Sequence, residues 1–212
     1  MTGRSPARAV DPDAFRAVSR HWTTGVALLT VRADEELFAK TVSSLCTLSL
    51  DPPLVSVAVD LRSPLVAAAR VAGHYAVSVL TDRQHGLARR FAAPGAGRAL
   101  GLFTGAPMRT EDTGAPVLEG CLAWFDCLLH DVLPGGDHAL LIGRVVAAEG
   151  QPGEPLVHHD GRFHSLELDL ELDVGPGPVP DSAPGPPGPA SGAAPAPDSD
   201  PVHRPTAPAG AR

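Results

Sequence analysis

The chain has 212 residues, a formal net charge of -7 and a pI near 5.6. That length suits one domain with a substantial core, and the acidity excludes the clustered basic surface with which a nucleic-acid groove replaces counterions. With no apolar window long enough to cross a bilayer, and an N-terminal MTGRSPARAVDPDAF that lacks the apolar centre of a signal peptide, a soluble cytoplasmic protein with neither nucleic-acid nor membrane partners is expected.

Asp11 and Pro12 form an N-cap followed by proline at the first helical position, and Phe15, Ala17, Val18 and Trp22 provide a short helix with an apolar stripe. The segment 24–31, TGVALLTV, reads as a strand ending at the polar turn RADEE. Segments 41–50, 54–59 and 75–80 read as further strands from their alternation and β-branched content. Between the last two, Ser63 caps a helix that has Pro64 in its first turn and Gly73 at its end. Thr81 and Gln84 form a capping-box pattern ahead of a second helix containing LARRFA. Beyond a Gly- and Ala-rich loop, long strands are expected at 121–132 and 138–148, then a hairpin turning at Asp160-Gly161. Strands dominate and no βαβ alternation runs through, so the expected class is a mainly antiparallel β-barrel with short peripheral helices. The folded domain should span 11–172. From 173 onward the chain holds 12 of its 23 prolines and no Phe, Tyr or Trp; such a segment cannot bury enough apolar surface to offset its ordering entropy, and a disordered tail is expected.

Three constellations could carry chemistry. The first, TVSSLCTLSL at 41–50, lines one strand-like segment with Thr41, Ser43, Ser44, Thr47 and Ser49. Buried hydroxyls need partners, so the row faces either solvent or a bound polar ligand. The N-terminus of the helix at Ser63 would turn free N–H groups toward an anion, and Arg62, Arg89 and Arg90 could add charge. The second is Gly135-Gly136-Asp137-His138, which puts an imidazole where a turn meets a sheet, either as a working group or as part of a locally bonded turn. The third, HHDGRFH at 158–164, suggests a metal, but His158 and His159 are successive strand residues and face opposite sides. No metal site is expected there. Cys46, Cys121 and Cys127 lack metal-ligand spacing and are read as three buried structural thiols.

Taken in order, FRAVSRHWTTGVALLTV, TVSSLCTLSLDPPLVSV, GHYAVSVLTDRQHGLARRFA, GDHALLIGRVV and PLVHHDGRFHSL resemble the flavin reductases with an FMN-binding split barrel, the small components of two-component flavin-dependent monooxygenases. The likeness spans about residues 14–168. It implies a Greek-key split barrel, FMN or FAD as flavin, NADH or NADPH as hydride donor, a homodimer, and a transient link to a monooxygenase. It further implies that Thr41, Val42, Ser43 and Ser44 contact the flavin, that Val59, Asp60 and Ser63 lie along its ribityl-phosphate side, and that Arg89 and Phe91 lie near its other edge. His138 would lie near the nicotinamide, and Asp51-Pro52-Pro53 would turn one strand into the next. The chain departs from the family where a glycine and an apolar residue usually precede Thr41: here they are Ala39 and Lys40, the sole lysine. Lys40 either snorkels to solvent or points inward to an anionic group. Two other readings share the fold: a flavin-binding carrier or sensor without reductase activity, and an oxidase or oxygenase that uses its flavin directly beneath the loop from Pro94 to Pro107.

Overall fold

The computed structural model describes residues 9–93 and 105–166. The expected proline-rich tail, and the loop segment 94–104, lie outside the described residues.

The strands are β1 (Thr24–Gly25), β2 (Ala27–Ala33), β3 (Glu36–Val42), β4 (Cys46–Leu50), β5 (Pro53–Asp60), β6 (His74–Val79), β7 (Met108–Thr110), β8 (Pro116–Leu118), β9 (Ala123–Gly135), β10 (His138–Gly150), β11 (Leu156–His159) and β12 (Arg162–Ser165). Three helices join them, α1 (Pro12–Ser19), α2 (Pro64–Ala72) and α3 (His85–Ala92). Seven strands form one sheet in the order β3-β2-β6-β9-β10-β5-β4, every pair antiparallel. Its two edge strands are consecutive in sequence. Four residue steps from Val42 to Cys46 reach at most about 14 Å, whereas a flat seven-stranded sheet would hold its edges about 29 Å apart. The sheet must therefore roll into a barrel that stays open between β3 and β4.

Alternation fills that barrel. Ala27, Leu29 and Val31 of β2 point into one cluster with Phe38 and Val42 of β3, Val55, Val57 and Val59 of β5, Tyr75 and Val77 of β6, and Leu141 of β10. Helix α2 adds Leu65, Val66, Ala68 and Ala69; each fully buried Leu or Val side chain contributes about 1.5 to 3 kcal/mol. The helix forms as read: Ser63 Oγ accepts from Leu65 N, Pro64 opens the first turn, and Gly73 closes it at φ +71°. The outer face of β2 and β3 carries a second cluster, Leu28 and Ala39 packed with Ala88 and Phe91 of α3, Leu118 and Leu156. The Thr81–Gln84 capping box is present, and Asp160 and Gly161 turn the β11–β12 hairpin with positive φ.

Four expectations are corrected. The strand read over 24–31 breaks at Val26, where the backbone turns to bond Leu156 instead. The hydroxyl-rich strand over 41–50 is two strands, since Ser43, Ser44 and Leu45 cross from one sheet edge to the other. Helix α1 forms, but its stripe faces outward: Phe15, Val18 and Trp22 are 66%, 70% and 76% exposed. Cys46 is exposed, while Cys121 and Cys127 are buried.

Candidate functional site

The opening between β3 and β4 brings together three of the singled-out segments. Ser44 crosses it: its Oγ donates to the Ala58 carbonyl at 2.9 Å and accepts from the Ala58 N–H at 3.1 Å. A side chain thus stands where a strand partner would otherwise satisfy the β5 backbone. Two residues further along, Asp60 pairs in register with His138 of β10, and Leu61 N bonds the Asp137 carbonyl at 3.0 Å. The tip of the β9–β10 hairpin, with Gly136 at φ +72°, therefore abuts the start of α2.

The electrostatics of this end are local and paired. Asp60 accepts from Arg62 N at 2.8 Å, from Nη2 at 2.6 Å and from Nε at 3.0 Å. These bonds, the side-chain ones foremost, hold its carboxyl far below the usual carboxylate range. Asp137 Oδ1 lies 2.7 Å from His138 Nδ1, and that bond lowers the Asp137 carboxyl as well. An ionised carboxylate only accepts, so Nδ1 carries the proton and Nε2 is left for another partner.

The expected anion cradle at α2 is corrected in part. Pro64 has no N–H, Leu65 N bonds Ser63 Oγ at 3.4 Å, and Val66 N bonds the Ser63 carbonyl at 3.4 Å. The first-turn donors are thus occupied, and Arg62 is tied to Asp60 rather than free. Thr41 Oγ1 donates to the Ala88 carbonyl at 2.8 Å, which pins α3 to the outer face of β3. Val59 and Phe91 are 1% exposed and lie in the inner and the outer cluster respectively, so only their backbones could reach a ligand. Arg89 is exposed beside a cavity of about 240 Å³ that His85, His164 and Ser165 also line. Of Thr41, Val42, Ser43 and Ser44, Ser43 alone is exposed.

Sequence reasoning missed Ala58 and Ala88, whose parts are played by backbone atoms that leave no trace in residue identity. His159 attaches the last hairpin, with its Nδ1 2.9 Å from Thr23 Oγ1, while His158 meets Phe163 of the same hairpin edge-on at 5.9 Å. Among the described residues no group of three metal-ligating side chains gathers.

A site for a flavin fits these residues in kind. The free edge of β3 offers backbone donors and acceptors, Ser43 an exposed hydroxyl and Lys40 an ammonium. Residues 19–167 match the model of the flavin reductase like domain. A flavin reductase from Pseudomonas putida is 39% identical over 138 residues, which are 65% of this chain and 79% of that protein. The reductase subunit HsaB of a flavin-dependent monooxygenase from Rhodococcus jostii is 34% identical over 168 residues, 79% of this chain and 84% of its own. The solved structure of the NADH:FAD oxidoreductase SgcE6 of Streptomyces globisporus, in complex with NAD and FAD fragments, superposes with a TM-score of 0.70 at 31% identity, covering 78% of this chain and all of that one. The chain belongs to the flavin reductase like domain family.

Proposed function

We propose that this protein is an NAD(P)H-dependent flavin reductase that passes a hydride from a nicotinamide to FMN or FAD and supplies the reduced flavin to a partner monooxygenase. The observation that carries the reading is the family match over nearly the whole described chain, joined to an open barrel edge at which Ser44 bonds β5 two residues before Asp60, the register partner of His138. The nicotinamide and the flavin supply the redox chemistry, and the protein holds them in line. That division of labour suits a site whose carboxylates, Asp60 and Asp137, are already paired with Arg62 and His138.

In this reading Ser43, the β3 backbone around Thr41 and Val42, and the backbone of Ser44 contact the flavin ring. Val59, Asp60 and Ser63 border its ribityl-phosphate side, Arg89 and the Phe91 backbone its far edge. His138, oriented by Asp137, presents Nε2 to the nicotinamide. Thr41 and Ser44 spend their hydroxyls on the fold and act as positioning residues. A second copy of the chain completes the molecule: α1 buries none of its residues, and an isolated helix of eight residues is too short to persist without packing.

The test is anaerobic stopped-flow mixing of catalytic protein with free FMN or FAD and NADH or NADPH, following the visible flavin absorbance. Rapid bleaching, and passage of the reduced flavin through a dialysis membrane to a second protein, are expected. Flavin binding without bleaching would leave a carrier. His138→Ala should slow bleaching roughly tenfold to a hundredfold while flavin binding stays unchanged; an unaltered rate would remove His138 from the nicotinamide site.

A further inference from the structure

Lys40 is the only lysine of the chain, and its surroundings are unusual for that side chain. On β3 it shares a face with Phe38 and Val42, both of which point into the inner cluster. Its cross-strand neighbour is Leu29, fully buried, with Ala27 and Val31 on the diagonals. It is half-buried, and no hydrogen bond or ion pair engages it among the described residues. Glu36 lies on the same face but four residues back, about 13 Å along the strand. Asp60 of β5 is already held by Arg62. Since β3 is an edge strand, Lys40 has no strand neighbour on the side of the opening that Ser43–Leu45 traverses. A partly desolvated ammonium among aliphatic side chains, without a counter-charge, is costly unless an anion arrives.

We propose that Lys40 is the fixed cation that recognises the negative charge of the flavin nucleotide. The proposal rests on the flavin reductase reading above. Two sources carry that charge: the phosphate, and the ring after reduction. Hydride from nicotinamide C4 brings two electrons and one proton to flavin N5; the nicotinamide becomes cationic, and the flavin ring is left with one negative charge over N1 and the adjoining carbonyl. Either charge placed beside the barrel opening would find in Lys40 a partner that no carboxylate among the described residues has taken. An inward-facing charge on an edge strand also discourages strand-to-strand association, but that effect makes no distinction between charged and neutral flavins.

The experiment measures the dissociation constants of FMN and of riboflavin, which has no phosphate, each in the oxidised and the anaerobically reduced state, for the wild type, Lys40→Met and Lys40→Arg. A charge contact predicts a loss of about tenfold in Lys40→Met that shrinks at high salt and is largely restored by arginine. A loss confined to both reduced ligands places the ammonium at the ring. A loss confined to FMN in both redox states places it at the phosphate. Equal constants throughout, or an equal loss that extends to neutral oxidised riboflavin and that arginine does not restore, would overturn the proposal. The wild type supplies a check that needs no variant: bound FMN should slow acylation of Lys40, followed by mass spectrometry against the N-terminal amine, and an unchanged rate would overturn it equally. A wild type that binds neither flavin would remove the functional reading itself, a result separate from tight wild-type binding that Lys40→Met leaves unaltered.

Discussion

Ser44 has a position that no inspection of its own side chain would reveal, because its hydroxyl serves both the N–H and the carbonyl of Ala58. Ser44→Ala would leave that strand backbone without its partner and is expected to cost about 1 to 3 kcal/mol in urea unfolding. The damage should be local, with faster hydrogen exchange at the Ala58 amide than at amides of the β6–β9 ladder. Exchange that rises uniformly would mean that the hydroxyl contributes only to global stability. The cluster of hydroxyls was legible as something other than an ordinary strand, since so many polar groups need partners. Their division was not. Thr41 serves α3, Ser44 serves β5 and Ser43 stays exposed, and each assignment depends on carbonyls or amides that any residue would supply. His138 was legible because two glycines and an aspartate announce a turn, and the ionised Asp137 beside it then fixes which ring nitrogen is free.

Elements were legible in proportion to the chemistry of their ends. Helix α2 carries its start and stop in Ser63, Pro64 and Gly73, and the last hairpin carries its turn in Asp160-Gly161. Strands β7 and β8 have three residues each, too few for any period to show. They exist because Asp126, wholly buried on β9, accepts from Thr113 N and Thr113 Oγ1 in the turn that joins them. The break after Val42 was hidden for the opposite reason, since the threonine and alternating apolar residues around it favour a strand on either side of it. Long strands bring a further constraint where β6 faces β10. A Cβ on Gly143 would stand 2.4 Å from the Tyr75 hydroxyl and 2.8 Å from Cys127 Cβ. Tyr75 is fully buried and has no free end to swing away. Gly143→Ala should therefore destabilise by about 1 to 3 kcal/mol in denaturant unfolding, although glycine is an inferior strand residue. An unchanged midpoint would mean that β10 shifts at its neighbouring bulge to make room.

At the scale of the whole molecule, the apolar residues left outside are as informative as those within. Phe15 and Val18 on α1, Trp22 just beyond it, and Leu48 and Leu50 on β4 are exposed on the single chain. Sedimentation velocity should find a dimer for the wild type and a monomer for the double variant Phe15→Glu, Trp22→Glu; a monomeric wild type would refute the assignment of α1 to a subunit contact. The barrel has a further consequence that concerns traffic rather than strength. In a closed barrel the only ways in are the two ends, and a side entrance requires unzipping a ladder of backbone bonds one after another. Here, among the described residues, the wall has a seam bonded across by one hydroxyl, whose two hydrogen bonds are worth about 0.5 to 1.5 kcal/mol each. A protein whose product must leave for another enzyme needs a door that opens often, and this seam can open and close without any strand losing its place.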